Sequence, residues 1–433
     1  MKVMLAGRWA KAHAMAKALA SNPDVELVAA MDRVNPGIRS AADSSVDVDL
    51  IDAEAVADAA ESVSAEFVAV SPEMTLQAGI RATLDRRDIP SFGPSAACAR
   101  LEGDKVFTRN LMKKLDIDAS PDHRWFDDAR DALEYLHDVE HPVAVKPAGV
   151  TEGDGVKVMG LQLEGFEAAE SYVRRIFEEG IGGMARVLIE EKMRGEEFSL
   201  QVFMDGRHMA PMPVVRDYKL LEEGEDGPNT PGMGSYSMPD HLLPTVDESN
   251  VQKGLEIMKK VMDHLREEED ELYRGILTGQ FMLAEDDLRL VEFNVRAGDS
   301  EFLNVQPLLQ TDMMAVMHAI DAGELNRVRL RFDNSATVCK YLVPGDFPDH
   351  KGDVDLDVDE KAARDIGCRL FYSCFKNGDG TYEPSPRLMA VTGIADTRLK
   401  AWERCEEGIR QVDGEDLYHR RDIGTKKLAR KYV

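Results

Sequence analysis

Leu288-Arg-Leu-Val-Glu-Phe-Asn-Val-Arg-Ala-Gly-Asp-Ser-Glu301 reads as an apolar strand that carries Glu292 and Asn294 two positions apart and runs into Arg296 and an acidic turn. Side chains alternate across a strand, so Glu292 and Asn294 share a face while Phe293 points to the core. A carboxylate and an amide oxygen on one face suit Mg²⁺, which takes hard oxygen ligands and leaves its other positions to waters and substrate phosphates. Arg296 lies on that face if the strand continues, where its guanidinium can neutralise a transferring phosphoryl group. The same pattern fits an edge-strand polar pair capped by a turn, so its surroundings decide between the two.

Outward from this strand, Ile276 to Leu283, Phe198 to Met204, Val187 to Glu191 and Val143 to Lys146 are further strand candidates. Between them Phe166, Ala169, Val173, Ile176 and Phe177 recur at helical spacing, as do Leu255, Met258, Met262 and Leu265. This mixture predicts an α+β domain over 101–326 with mostly antiparallel sheets. Residues 1–100 differ: Val3 to Ala6, Val25 to Met31 and Phe67 to Val70 alternate with helices around Lys11 to Ala20 and Glu54 to Ser62, which predicts a parallel α/β sheet. Pro72, Pro90 and Gly93-Pro94 punctuate the chain and place a boundary near Ser95. Over 327–433, strands at Ala336 to Val343 and Arg369 to Cys374 and a helix at Thr397 to Asp413 predict a small C-terminal α+β lobe.

At 433 residues the chain exceeds one ordinary core, and its 43% hydrophobic content is that of a globular protein. No run of about 18 apolar residues exists, and Arg8 and Lys11 interrupt the start, so a cytoplasmic protein without membrane contact is expected. The five cysteines are scattered without zinc or redox spacing and read as reduced, mostly buried thiols. A net charge of −27 argues against nucleic acid as a partner, and only Arg420-Arg421 and Lys426-Lys427 to Lys431 are locally basic. Such a diffuse acidic surface suits a salt-rich cytoplasm, where screening removes most self-repulsion.

Three further stretches carry polar chemistry. Lys146 ends a strand and meets Pro147-Ala-Gly-Val-Thr-Glu-Gly-Asp-Gly155, whose glycines would let backbone amides approach phosphate; a hairpin turn is the alternative. At Glu190-Glu191-Lys-Met193-Arg-Gly-Glu196-Glu197 a strand stops at a hinge and restarts, so its backbone can pair with an adenine edge and a carboxylate can accept from ribose hydroxyls; a solvated acidic turn is the alternative. Asp217-Tyr-Lys219 leads into Gly227-Pro-Asn-Thr-Pro-Gly-Met-Gly-Ser-Tyr236, a long glycine-rich loop of the kind that is functional or disordered.

Taken in order with Gly93-Pro94-Ser95, Leu101-Glu102-Gly103-Asp104-Lys105, Ala336-Thr-Val-Cys-Lys-Tyr341 and Arg421-Asp-Ile-Gly424, these stretches closely resemble the phosphoribosylamine–glycine ligases, or glycinamide ribonucleotide synthetases. These belong to the ATP-grasp family, and the likeness is to archaeal members. The resemblance implies ATP-dependent joining of glycine to 5-phosphoribosylamine in purine synthesis through an acyl phosphate, in a monomer or small homo-oligomer. It implies that Lys105, Lys146, Gly153 and Gly155 meet the ATP phosphates, that the hinge of Glu190, Glu191 and Met193 takes the adenine, and that Glu197 takes the ribose. Glu292 and Asn294 would hold Mg²⁺ or Mn²⁺. Asp217, Lys219 and Arg296 would serve catalysis near the acceptor, with His13, Glu73, Asn229, Thr230, Gly232 and Gly234 binding substrate; for His13 a packed helix histidine is the alternative.

The departures from the family pattern gather around the ligand positions. Gly7-Arg-Trp-Ala-Lys-Ala-His13-Ala14 has Trp9 and Ala10 where the family has glycines, which removes a bare backbone approach for a sugar phosphate. Ser71-Pro-Glu73-Met-Thr-Leu76 keeps Glu73. Asp154 stands where the family has lysine; at about 4 Å and an effective dielectric of about 20, a like-charge pair with phosphate costs roughly 4 kcal/mol. Pro231 replaces a glycine. An ATP-grasp ligase for a different carboxylate and amine, or a non-catalytic paralogue, remain open on these residues.

Overall fold

The computed structural model describes residues 1–151, 155–284 and 287–425. Lys2–Ala6, Glu26–Met31 and Phe67–Val70 are apolar almost throughout because helices cover both faces of their sheet. The sheet is wholly parallel, ordered Ser44–Asp47, Glu26–Met31, Lys2–Ala6, Phe67–Val70, Ser91–Phe92. Met4, Val28 and Val68 cluster with Val56 and Ala60 of the helix Ala53–Ser62. On the opposite face Val3, Leu5 and Leu27 cluster with Met15 and Leu19 of Ala10–Ala20. The expected parallel α/β sheet is thus present, with the polar strand Ser44–Asp47 added at its edge.

Two antiparallel sheets follow. The first is ordered His123–Phe126, Val187–Glu191, Val143–Pro147, Lys157–Val158. Val143, Val145 and Ile189 pack against Leu133, Leu136, Val173 and Ile176 of the helices Ala129–Asp138 and Phe166–Glu179. Strand alternation then turns Ala144, Lys146, Leu188 and Glu190 to the other face, toward the cavity described below. The second sheet is ordered Met209–Pro211, Glu196–Asp205, Arg274–Ala284, Asp287–Asn294. Asn294 pairs with Thr278 and Glu292 with Gln280; beyond them the register slips, Phe281 facing Leu290. Because the slip comes after Glu292, the Glu292 and Asn294 pair keeps one face and Phe293 is buried on the other.

The Gly227 to Tyr236 segment, expected as a loop, is instead the strand Asp226–Ser237, hairpinned with Arg216–Glu222 and paired on its far side with Ala336–Pro344. One of its glycines serves close strand approach. A Cβ on Gly234, whose φ is +148°, would stand 2.2 Å from the Cys339 carbonyl oxygen. Met389–Ala395 and Cys368–Tyr372 complete this third sheet, which therefore draws strands from both the middle and the last third of the chain. The helix predicted over Thr397 to Asp413 spans Arg398–Ile409 with Thr397 as its N-cap, and Val412–Gly414 becomes a strand beside Leu356–Val358. All five cysteines are free and buried. Among the described residues no helix is long and apolar enough to cross a membrane.

Candidate active site

A cavity of about 580 Å³ is lined at one end by the two central sheets and at the other by Trp9 and Ser385. The sheet end is an apolar slot of Ala144, Val158, Leu188, Met193 and Met282. Lys105 and Lys146 stand over it, both largely buried; burial pulls the Lys105 ammonium below its ordinary range. Lys146 Nζ lies 2.6 Å from Glu190 Oε2, and Arg109 Nε donates to Glu190 Oε1 at 2.6 Å. Burial alone would raise the Glu190 carboxyl, but Arg109 and Lys146 hold it at about 2. Arg109 also donates to the carbonyls of Leu290 and Val291, at 3.0 and 2.8 Å, and so ties the helix Lys105–Lys114 to the Glu292 strand.

Both Glu190 oxygens are taken by two cations inside the wall, which leaves its backbone for the hinge. Glu191 accepts from the backbone N–H of Asp122 at 3.3 Å on the rim. Lys105 donates to the Gly149 carbonyl at 2.7 Å, which fixes the loop after Lys146 to the start of its helix. Gly155 does not line the cavity; a Cβ there would meet Thr151 at 2.5 Å, and Tyr172 Oη donates to its carbonyl at 2.7 Å, so it is packed between these two residues. Gly153 and Asp154 lie outside the described residues.

Acid accumulates midway along the cavity. Asp217 and Lys219 share a face of Arg216–Glu222, and Lys219 Nζ is 3.7 Å from Glu197 Oε2 and 3.9 Å from Glu292 Oε1. Glu301 accepts from Ser199 Oγ at 3.0 Å and Gln280 Nε2 at 2.7 Å. Burial pushes the Asp217 carboxyl up to about 7; Lys219 opposes the shift, while Glu301 and Glu197 add to it. Its buried Oδ1 has no hydrogen-bond partner. Lys219 moves the other way: burial disfavours its charge, yet Glu197, Asp217 and Glu292 hold the ammonium above its ordinary value. Asn229 Nδ2 donates to the Val156 carbonyl at 3.3 Å, and Thr230 Oγ1 to the Lys219 carbonyl at 2.8 Å, which braces the hairpin across the cavity.

Arg296 is the hub of the far end. It stands 3.7 Å from Glu73 Oε2 and 3.3 Å from Glu102 Oε1, and donates to Asn294 Oδ1 at 3.2 Å. Lys11 Nζ donates to Glu73 at 2.7 Å. Against the pull of burial, Lys11 and Arg296 hold the Glu73 carboxyl at about 2; Glu102, less fully compensated, is pushed up by burial. Trp9 Nε1 donates to Ser385 Oγ at 3.1 Å and closes this end. Arg387 stands 3.3 Å from Asp299 Oδ2 and donates to the Gly232 carbonyl at 2.6 Å.

His13, expected at the substrate, needs correcting to its alternative, a packed helix histidine. Its Nδ1 accepts from the backbone N–H of Tyr372 at 3.0 Å, its ring packs between Phe371 and Tyr372, and burial drives its pKa well below the ordinary value. It joins the first domain to the third sheet and does not line the cavity. Gly232 and Gly234 are likewise backbone positions of that sheet, off the cavity wall. Sequence reasoning passed over Arg109, Lys11, Glu102, Glu301 and Arg387. Arg109 follows Lys105 by one helical turn and Glu301 ends the turn after the Glu292 strand, so both carried a signal; Arg387 carried none.

Comparisons with known proteins bear on the chain as a whole. Residues 1–102 match the family model "Phosphoribosylglycinamide synthetase, N domain", and residues 103–302 match "Phosphoribosylglycinamide synthetase, ATP-grasp (A) domain". A phosphoribosylamine–glycine ligase of Methanopyrus kandleri is 41% identical, covering 100% of this chain and 98% of that protein. Its counterpart in Methanothermobacter thermautotrophicus is 40% identical over the same shares. The crystal structure of phosphoribosylamine–glycine ligase from Thermotoga maritima, 24% identical, superposes with a TM-score of 0.81 over 98% of this chain and 100% of that one, a likeness of fold. With identity of this level along its whole length, the chain belongs to the phosphoribosylamine–glycine ligase family of ATP-grasp enzymes.

Proposed function

We propose that this chain, in the cytoplasm, ligates glycine to 5-phosphoribosylamine, forming glycinamide ribonucleotide, ADP and phosphate. The observation that carries the reading is the cavity itself: an apolar slot under two lysines, an acid-rich middle and a charge-paired far end form one continuous space. Adenine fits the slot against Met193, Leu188 and Met282, with Lys105 and Lys146 toward the phosphates and Glu197 toward the ribose. The glycine carboxylate attacks the γ-phosphoryl group, giving glycyl phosphate and ADP, while Lys219 and Arg296 balance the charge on the transferring oxygens. The amine of phosphoribosylamine, held near Glu73 and Trp9, then attacks the glycyl carbonyl and expels phosphate; Asp217 takes the proton that nitrogen loses.

Mg²⁺ or Mn²⁺ suits the middle of this site. The unpartnered Asp217 oxygen and the surplus of carboxylates beside Lys219 mark a place that another cation would relieve. Among the described residues no three acidic, histidine or cysteine side chains cage an ion alone, so Glu292 and Asn294 would hold it together with waters and ATP oxygens. Such an ion supplies charge neutralisation and alignment of the phosphates. The test is ADP release with ATP, Mg²⁺, glycine and freshly made phosphoribosylamine. Release dependent on both acceptor and donor supports the reading; release only with other amines or amino acids overturns it.

A further inference from the structure

The Arg421-Asp-Ile-Gly424 stretch has no part in the reaction just outlined, yet the segment that leads into it lies across the tip of the hairpin that carries Asp217 and Lys219. Arg420 is completely buried. Its guanidinium donates to the Leu220 carbonyl at 2.8 Å, pairs with Glu225 at 2.7 Å and meets both oxygens of Asp422, at 3.0 and 2.8 Å. Asp422 in turn accepts from the Gly224 N–H at 2.7 Å, the Arg421 N–H donates to Glu223 at 3.1 Å, and Tyr418 Oη donates to the Leu221 carbonyl at 3.2 Å. The Arg420 guanidinium also lies 5.2 Å from the ring of Tyr218, the residue between Asp217 and Lys219. Behind the segment, Lys340 Nζ and Trp402 Nε1 both donate to the Arg421 carbonyl, at 2.9 and 2.7 Å, anchoring it to the last third of the chain.

The hairpin needs such support. Arg216–Glu222 is the edge strand of its sheet, and its register with Asp226–Ser237 slips between Tyr218 and Leu220 and again before Glu222. An edge ladder with two irregularities leaves the heading of Asp217 and Lys219 weakly determined by its own hydrogen bonds. We propose that Tyr418–Asp422 is a strap that sets this heading, and that Arg420 and Asp422 are positioning residues for the ligation, a role that rests on the ligase reading above. The guanidinium fork matters because it grips a carbonyl and two carboxylates at once, a geometry an ammonium cannot copy.

Asp422→Asn keeps the shape of the strap and removes the charge opposite Arg420. Its kcat is expected to fall roughly tenfold to a hundredfold, the cost of small misplacement at a reacting centre. Affinity for Mg–ATP, measured by calorimetry, stays within about twofold because the contacts of the strap named above fall on the hairpin and the last third of the chain, not on Ala144, Leu188, Met193 or Met282 of the slot. Amide hydrogen exchange over 217–225 quickens while that over Val187–Glu191 is unchanged. Arg420→Lys gives an intermediate kcat, and should Asp422→Asn fail to fold, Tyr418→Phe shows the same pattern at smaller amplitude. Unchanged hairpin exchange in a folded variant, or unchanged kcat despite faster exchange, overturns the proposal. Exchange needs no substrate, so if the parent protein does not ligate glycine, the ligase reading falls and exchange alone decides the strap.

Discussion

The slot end of the cavity is built from neighbouring strands, whereas the Trp9 end is assembled from segments as distant in sequence as Lys11, Glu73, Arg296 and Arg387. At the first, Glu190 is saturated by Arg109 and Lys146 inside the wall, so the two cations are fixed before any ligand arrives. At the second, Arg296 divides itself among Glu73, Glu102 and Asn294 at 3.2 to 3.7 Å, a looser arrangement in which partners can be exchanged. A fixed end suits a nucleotide that is the same in every turnover. An end that gathers several segments is where acceptor specificity can change without rebuilding the sheets.

The sharpest test of that contrast falls between the two ends. Asp217→Asn should lower kcat by roughly 10²–10⁴, the usual contribution of a positioned proton acceptor, with the nucleotide affinity retained. The pH dependence has a definite sign. The parent's kcat should rise through about 7 as the carboxyl deprotonates, and the variant should lack that limb. The same raised value means the folded state holds the proton more tightly than the unfolded chain, whose value is 3.8. Stability from this group is present below that value and is lost as pH rises through about 7, a slope absent from the variant.

Glu190→Gln tests whether the slot end is as rigid as described. Leaving Lys146 and Arg109 buried beside a neutral amide should cost about 3–5 kcal/mol in urea unfolding and weaken ATP binding with it. Because the carboxyl moves down from 4.5 to about 2 on folding, its stabilisation is present above pH 4.5 and is lost as pH falls toward 2; the variant should lack that part of the acid limb. At the other end Arg387→Met should raise KM for the amine about tenfold, as befits a lost charged hydrogen bond, and leave ATP affinity within about twofold. Trp9→Gly should do least, changing the amine KM by about fivefold through the loss of one hydrogen bond to Ser385. An equal effect of either variant on ATP would erase the distinction between the ends.

This contrast also explains what could be read in the sequence. Glu292 and Asn294 sit on a strand whose alternation is visible, so their shared face followed from spacing alone. Glu190 was placed in the right strand, but its partner went unread, because an ion pair with Arg109 spans 81 positions and leaves no periodic trace. The glycines at 232 and 234 resembled a loop since composition does not distinguish freedom of the chain from closeness of two strands. His13 resembled a ligand group in its motif, whereas the strand that packs on it lies more than three hundred residues away. Arg387 had no signal: it matters only because the third sheet brings it beside Asp299.

That third sheet has a consequence for how the chain comes to life. Asp226–Ser237 waits for Ala336–Pro344 as its partner, and the tip of its hairpin waits for residue 422. During synthesis the first domain can close its local parallel sheet early, but the substrate hairpin stays unpaired on one side while about a hundred further residues are made, and loop closure of that length is slow. Binding competence therefore arrives last and nearly all at once. A nascent chain of this protein would hold a folded scaffold well before it held an aligned Asp217 and Lys219, so partial products carry no prematurely active site.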